Sequence, residues 1–139
     1  MIPLSVPEIR GNEWTYVKEC LDTGWVSSAG KFVGRFEQDI AQYTGARHAI
    51  ACASGTAALH IALMLSGVEP DDEVLVPTIT FIASINVIRY VGAHPVFMDC
   101  DEYYTLDTEK VIEFLTRETE LVNGCTRNKR TGRRISAIL

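Results

Sequence analysis

The chain has 139 residues, of which 47% are hydrophobic and 22% charged, and its net charge is −5. This composition is typical of a globular protein, and the negative charge argues against a general nucleic-acid binder. No apolar run is long enough to span a membrane and the first residues lack the pattern of a signal peptide, so we expect a cytoplasmic protein without membrane or nucleic-acid partners.

Two helices are predicted before the first strand. Asn12 can cap a helix over residues 13–23, in which apolar side chains recur at helical spacing and which Gly24 ends. After a loop over residues 24–30, a second helix is predicted over residues 33–44. The beginning of the chain is therefore expected to be helical.

The most informative stretch is a turn of small residues between a predicted strand and a predicted helix. The apolar run 48–53 predicts a buried strand, and residues 56–66 predict an alanine-rich helix. The first turn of a helix has backbone N–H groups without intrahelical partners and the positive end of the dipole, and Gly55 lets the backbone approach an anion closely. The turn can therefore hold a phosphate. A helix that is simply capped by Ser54 or Thr56, without a ligand, explains the same residues.

Strands and helices alternate over the next part of the chain. The sequence predicts strands over residues 73–77 and 95–99, and helices over residues 81–90 and 107–117, the last with Asp107 as its N-cap. Strands joined by crossover helices form parallel sheets that are covered on both faces. The predicted fold class is therefore α/β, with a mostly parallel sheet and helices on both faces.

Residues 118–134 interrupt this alternation and contain five of the thirteen basic residues. A nucleic-acid patch would interleave aromatic side chains with the charges, and this segment has none. Its Asn-Gly and Thr-Gly pairs favour turns, so we predict a solvated turn or hairpin insertion. Residues 135–139 predict the start of another buried strand, after which the chain stops without a covering helix. We therefore expect the front part of a longer protein.

The cysteines are far apart in the sequence and form no C-x-x-C pair. They are Cys20, Cys52, Cys100 and Cys125. This spacing predicts reduced, buried thiols and no zinc site, so no metal is expected.

Five short motifs follow one another along the chain. They are Gly24-Trp25-Val26-Ser27, Phe36-Glu37, Ser54-Gly55-Thr56-Ala57-Ala58-Leu59, the run from Asp72 to Phe81, and the run from Gly92 to Asp99. In this order they resemble the DegT–StrS family of pyridoxal-phosphate-dependent aminotransferases, which act on nucleotide-linked keto-sugars. The resemblance covers nearly the whole chain. The insertion at 118–134 also resembles the subgroup that aminates a 4-keto-hexose on the way to legionaminic-type nonulosonic acids.

The resemblance implies the N-terminal part of the large domain of a fold-type I pyridoxal-phosphate-dependent transferase, incomplete at its C-terminus. Residues 1–46 would form the N-terminal helices and a loop on the substrate side. Residues 47–117 would form the region that holds the cofactor phosphate and stacks on its ring. Residues 118–134 would be the polar insertion, and residues 135–139 the start of the next strand.

The resemblance also implies which residues hold pyridoxal 5'-phosphate. In the family the Ser-Gly-Thr turn binds the phosphate, and the matching positions are Gly55, Thr56 and Ala57. Backbone N–H groups would do most of this, with the Thr56 hydroxyl assisting. Phe81 matches the aromatic residue that lies over the pyridine ring, where a flat apolar side chain stacks on the cofactor. Without the resemblance, Phe81 would be interpreted as a core residue.

Substrates and partners follow from the same resemblance. Trp25 and Ser27 match a loop near the substrate entrance and the dimer contact, and simple packing is the alternative interpretation for Trp25. The family transfers an amino group from an amino acid, commonly glutamate, to a nucleotide-linked keto-sugar. Its sites form across a dimer, so a homodimer is expected.

Two groups that the family's chemistry needs have no match in this chain. One is the lysine that forms a Schiff base with the cofactor, and the other is the acid that faces the pyridine nitrogen. In the family both follow the strand that begins near Ile135. Asp99 and Asp101 are assigned turn and capping roles instead. The lysines are interpreted as surface residues: Lys18, Lys31, Lys110 and Lys129. No catalytic residue is therefore assigned, and the 139 residues alone are expected to be inactive.

Three alternatives remain at this point. The same family contains sugar dehydratases in which a histidine replaces the lysine. A second alternative is a truncated, non-catalytic remnant that serves as an interaction module. The third is a generic nucleotide-binding α/β domain that uses Gly55 in its phosphate turn, although the chain has neither a G-x-G-x-x-G nor a P-loop motif.

Overall fold

Two helices form the first of two units into which the chain divides. The computed structural model describes residues 2–139, and its first unit ends at Ala51. Helix α1 covers Glu13–Asp22 and helix α2 covers Lys31–Thr44, so both predicted helices are confirmed. Asn12 is the N-cap residue, as predicted, but its side chain makes no capping hydrogen bond.

The second unit, Cys52–Leu139, contains the sheet. Its elements are α3 (Gly55–Leu65), β1 (Glu73–Pro77), α4 (Ile82–Tyr90), β2 (His94–Met98), α5 (Thr108–Arg117), β3 (Thr119–Val122), β4 (Cys125–Asn128) and β5 (Ile135–Ile138). Strands β2, β1 and β5 lie side by side in that order, and both pairings are parallel. The alternation of strands and crossover helices therefore produces the predicted parallel sheet.

Helices cover both faces of this sheet, as predicted. Val74 and Val76 of β1 pack with α3 and α4, whereas Leu75 between them packs with α5, because successive side chains of a strand point to opposite faces. The first core cluster contains the buried residues Leu63, Val68, Val74, Val76, Val87, Ile88 and Ala93. The second contains Leu75, Met98 and Val111. Burial of a Val, Leu or Ile side chain contributes roughly 1.5–3 kcal/mol, so these clusters fix the helices to the sheet.

The insertion is a hairpin, as predicted. Strands β3 and β4 pair in antiparallel register, and the turn residues Asn123 and Gly124 have φ angles of 52° and 77°. Two successive positive φ angles define the turn type that matches the twist of a hairpin. The side chains of Asn128, the last residue of β4, and of Thr131 donate hydrogen bonds of 2.8 and 2.7 Å to the carboxylate of Glu73, which is only 3% exposed. The insertion is therefore anchored at the start of β1.

An ion pair adds a second anchor at the same end of the sheet. Nε and Nη2 of Arg134 donate to the two carboxylate oxygens of Asp72 at 3.0 and 2.5 Å. Burial raises the pKa of Asp72, but the hydrogen bonds from Arg134 and from the N–H of Glu69 lower it by more, so the carboxyl has a pKa below its ordinary value. The Glu73 N–H also donates to the Arg134 carbonyl oxygen at 2.7 Å.

The predicted strand at 48–53 does not form. A strand needs a neighbour whose backbone pairs with its own, and the three-stranded sheet does not include this run. The N–H of Ala51 instead donates to Oε1 of Glu37 at 2.8 Å. The apolar pattern of residues 48–53 does not indicate whether another strand is close enough to pair with them.

The cysteines are less buried than predicted. Cys20, Cys100 and Cys125 are half-buried, and Cys52 is exposed. The cysteines are not buried by their apolar neighbours in the sequence, because many apolar side chains of this chain are themselves exposed. No helix within residues 2–139 combines the length and apolarity needed to cross a bilayer.

Candidate functional site

The starts of α3 and α4 lie at the same edge of the sheet. Helix α4 begins shortly after β1 ends at Pro77, so its first turn lies at the carboxyl end of that strand. Helix α3 ends shortly before β1 begins, and its eleven residues span about 16 Å, about the length of the five-residue strand. The Gly67 carbonyl oxygen just after α3 accepts from Arg134, which also pairs with Asp72 at the start of β1, so α3 ends at the amino edge of the sheet and its first turn lies toward the carboxyl edge. Ligands of open α/β sheets bind at this edge.

Helix α3 begins with a capped turn. Ser54 is the N-cap, and its Oγ accepts a hydrogen bond from the N–H of Ala57 at 3.2 Å. The first bond along the helix runs from the N–H of Ala58 to the Ser54 carbonyl oxygen at 3.1 Å. The N–H groups of Gly55 and Thr56 precede this bond and point out of the helix end, where the dipole is positive. Ala57, one of the three predicted phosphate-binding residues, thus also donates its N–H to the capping side chain of Ser54.

Nothing in the packing of the chain requires a glycine at position 55. A Cβ atom added to Gly55 would meet no atom within 4 Å, and the backbone does not have the positive φ that favours glycine. The space beside this residue is open. An open space beside two outward N–H groups suits a ligand that comes close to the backbone.

Phe81 occupies the corresponding position on α4. It is the N-cap residue, with φ −68° and ψ 137°, and its side chain is 79% exposed. The interpretation as a core residue is therefore wrong for this chain. The N–H of Ser84 donates to the Phe81 carbonyl oxygen at 2.9 Å, and this bond begins the first turn of α4. Phe81 therefore lies in the segment that follows the carboxyl end of β1.

The predicted substrate residues lie together in the first unit. Trp25 and Ser27 line a hollow of about 400 Å³ with Gly30 and Phe32 among its other walls. Nε1 of Trp25 donates to the Ala29 carbonyl oxygen at 2.5 Å, which fixes the indole across the loop. A Cβ at Gly30 would lie 2.5 Å from Nε1 of Trp25, so only glycine allows the ring to lie there. Trp25 remains 59% exposed.

The acidic residues after β2 have the structural roles expected of them. The carboxylate of Asp101 accepts hydrogen bonds from the N–H groups of Tyr103 and Thr105 and from the Thr105 hydroxyl, which lower its pKa. The pKa of Asp99 is lowered by its ion pair with Lys110 and by the N–H of Cys100.

Each of the four lysines has a polar partner, and Lys31 also lines the hollow of Trp25 and Ser27. Lys18 pairs with Asp22, Lys31 pairs with Glu19, Lys110 pairs with Asp99, and Lys129 donates to the Arg117 carbonyl oxygen. Residues 2–139 contain no group of His, Cys, Asp and Glu side chains that could hold a metal ion.

The chain is similar to known proteins in sequence and in structure. Residues 7–124 match the family described as the DegT/DnrJ/EryC1/StrS aminotransferase family. The GDP-perosamine synthase of Caulobacter vibrioides is 47% identical over 122 residues, which are 87% of this chain and 33% of that protein. A DegT DnrJ EryC1 StrS aminotransferase from Brucella abortus has a similar structure, with a TM-score of 0.75 and 32% identity over 89% of this chain and 31% of that one. Spr1654 from Streptococcus pneumoniae, solved in its PLP-form, has a TM-score of 0.73 and 35% identity over 81% of this chain and 29% of that one.

The chain spans about a third of the length of the curated relatives it matches. The match to the family covers most of the chain, including both helix starts at the carboxyl edge of the sheet. It confirms the resemblance seen in the five sequence motifs. This chain belongs to the DegT/DnrJ/EryC1/StrS aminotransferase family.

Proposed function

We propose that this chain is the N-terminal part of a pyridoxal-phosphate-dependent aminotransferase that acts on a nucleotide-linked keto-sugar. The observation that carries the proposal is the pair of helix starts at one edge of the sheet, one with outward N–H groups and the other with an exposed aromatic ring. Membership of the family supports the proposal. So does the name of the relative GDP-perosamine synthase, because GDP-perosamine is a nucleotide joined to an amino sugar.

The residues present fit this cofactor. A phosphate needs N–H donors and positive potential, which the first turn of α3 offers at Gly55 and Thr56. The Thr56 hydroxyl adds a donor, and Ala57 would share its N–H between the phosphate and Ser54. A conjugated ring needs a flat apolar surface, which Phe81 offers because its side chain is exposed.

Each residue has a separate task in this proposal. The α3 turn holds the phosphate and so fixes the cofactor in place, while Phe81 orients the ring and excludes water from one face. Pyridoxal phosphate, when bound, supplies the electron-withdrawing ring that lets an amino group pass from the donor to the keto-sugar. The lysine that moves protons in this chemistry would come from outside these 139 residues, because none of the four lysines here lies in the turn that begins α3 or beside Phe81.

Finer assignments rest on the resemblance alone. We propose that Trp25 and Ser27 contact the substrate, that glutamate is the donor, and that the protein acts as a homodimer in the cytoplasm. We also propose that the sugar belongs to the legionaminic-type route, with the hairpin of β3 and β4 as the supporting feature.

The test uses the protein at its natural length, with the cofactor removed and then titrated back. We expect Gly55→Val and Phe81→Ala each to raise the dissociation constant for pyridoxal phosphate, by about threefold to tenfold for the loss of the stacked ring. Phe97→Ala is the matched control, because Phe97 is also exposed but lies on β2. Wild-type affinity in both Gly55→Val and Phe81→Ala would contradict the proposal.

Product analysis then separates the alternatives. An aminotransferase converts a nucleotide-linked keto-sugar to its amino derivative when an amino acid is added, whereas a dehydratase removes water from the sugar. A protein that binds neither the cofactor nor the sugar would be the non-catalytic remnant.

A further inference from the structure

We propose that Thr78 is a positioning residue, which ties the loop carrying Phe81 to the end of β2 and thereby holds the aromatic ring in place over the cofactor. The inference deepens the proposed function and rests on it. Thr78 has no role that the sequence alone predicts. The available signal was a hydroxyl residue directly after a buried strand.

Two hydrogen bonds join Thr78 to one acceptor. Its backbone N–H and its Oγ1 each donate to the carbonyl oxygen of Met98, and both distances are 2.8 Å. The first bond continues the pairing of β1 with β2, in which Pro77 lies opposite Met98. A valine at position 78 would keep this backbone bond. The hydroxyl bond is additional, and only a Ser or Thr side chain can make it here.

The acceptor belongs to the rigid part of the unit. The side chain of Met98 is only 7% exposed and lies in the same core cluster as Leu75 and Val111. The carbonyl oxygen of Met98 is therefore fixed by the packing of β2 against α5. A bond to this oxygen transfers that rigidity to the loop.

The loop itself has little burial to hold it. Ile79 is 57% exposed and Phe81 is 79% exposed. In the same loop, the hydroxyl of Thr80 donates a hydrogen bond to Oγ of Ser84 at 3.2 Å across the first turn of α4. Because packing contributes little, hydrogen bonds at the two ends of the loop determine where Phe81 lies. Thr78 supplies the bond at the strand end.

The test compares variants of the natural-length protein in affinity for pyridoxal phosphate and in visible circular dichroism of the bound cofactor. We expect Thr78→Val to raise the dissociation constant about threefold to tenfold, the factor that corresponds to one hydrogen bond, and to weaken the dichroism of each bound cofactor. Thr78→Ser, which keeps the hydroxyl, should restore both values. Thr116→Val is the control, because it removes a hydroxyl bond from the surface of α5.

A double-mutant cycle tests whether Thr78 acts through Phe81. We expect Thr78→Val to have no further effect once Phe81 is replaced by Ala. Amide exchange over residues 79–82 of the cofactor-free protein should also be faster in Thr78→Val than in Thr78→Ser. This measurement reports the mobility of the loop in the absence of the cofactor.

The outcomes separate the inference from the proposed function. If Phe81→Ala weakens cofactor binding but Thr78→Val does not, only the inference is overturned. It is also overturned if Thr78→Val weakens binding equally with and without the Phe81 ring. If Phe81→Ala binds the cofactor as the wild type does, the role of the ring in the proposed function is wrong and the inference falls with it.

Discussion

The carboxylate of Glu73 depends on donors that come from the end of the insertion. Glu73 is buried, and Asn128, itself only 4% exposed, donates to it at 2.8 Å. We expect Asn128→Ala to lower the free energy of unfolding by about 1–3 kcal/mol, because a buried carboxylate oxygen loses its partner. Urea unfolding measures this. Asn12→Ala is the control and should be neutral, since the Asn12 side chain makes no capping bond. Equal losses of stability in Asn128→Ala and Asn12→Ala would contradict the role of Asn128 as the partner of Glu73.

The ion pair of Asp72 with Arg134 makes a pH-dependent contribution to stability. The folded protein holds the pKa of Asp72 below its ordinary value of about 3.9, so the unfolded chain binds more protons in that range. The contribution is therefore present above about pH 4 and is lost as the pH falls through the folded pKa. We expect the stability of Asp72→Asn to fall less than that of the wild type on acidification from neutral pH.

The measurement is a series of urea unfolding curves at decreasing pH. Asp39→Asn is the control, because the ion pair of Asp39 with Arg35 is exposed. Stability profiles of the wild type and of Asp72→Asn that run parallel down to the lowest pH would show that this ion pair does not contribute.

At the scale of elements, the hairpin depends on the backbone of its turn. Gly124 has φ 77°, a conformation that costs other residues about 1–2 kcal/mol. We therefore expect Gly124→Ala to destabilise the protein by about 1 kcal/mol in urea unfolding. Gly34→Ala is the matched control: Gly34 lies inside α2 with open space beside it, so alanine there should be neutral or stabilising. A neutral Gly124→Ala would contradict the turn assignment.

The sequence predicted the elements that carry their own signals and missed those that depend on a distant partner. The helix over 107–117 was predicted because Asp107 is a good cap, and its carboxylate does accept from the N–H of Lys110. The strand over 73–77 was predicted from an apolar run that is buried on both faces. The equally apolar run 48–53 looked the same, yet it is not part of either sheet within residues 2–139. The local sequence pattern shows which secondary structure a segment can form. Whether a strand forms depends also on a neighbouring strand with which its backbone can pair.

The candidate site shows the same division. The Ser-Gly-Thr turn could be placed at a helix start because capping is local, and Ser54 is indeed the cap. The contact between Thr78 and Met98 joins residues that are twenty positions apart, and no pattern in either strand predicts it. The position of Thr78 thus depends on the register between β1 and β2, which the sequence alone does not determine.

At the scale of the molecule, the core is small compared with the apolar surface. Within residues 2–139 the buried hydrophobic residues are few, and all except Ala83 belong to the two clusters on either side of β1, while large side chains such as Trp14, Tyr43, Leu65 and Phe81 are exposed. Large apolar surfaces of this kind bind other apolar surfaces. We expect the isolated 139-residue chain to bind the dye ANS strongly and to self-associate in size-exclusion chromatography.

The natural-length protein provides the comparison. If the exposed surface is an interface with the remainder of an aminotransferase, that protein should bind little ANS at the same concentration. Strong and equal dye binding by both proteins would show that this surface stays open to solvent.

The register of the sheet also limits the direction in which it can grow. The N–H of His94 donates to the Asp72 carbonyl oxygen and the Met98 carbonyl oxygen accepts from Thr78, so the polar groups of these residues face β1. In a strand the intervening residues face the other way, which turns Pro95 and Phe97 to the outer edge. Proline has no N–H to offer, so this edge is a poor template for another strand. Strand addition is therefore disfavoured along β2, and the edge beside β5 is the better place for a further strand to join.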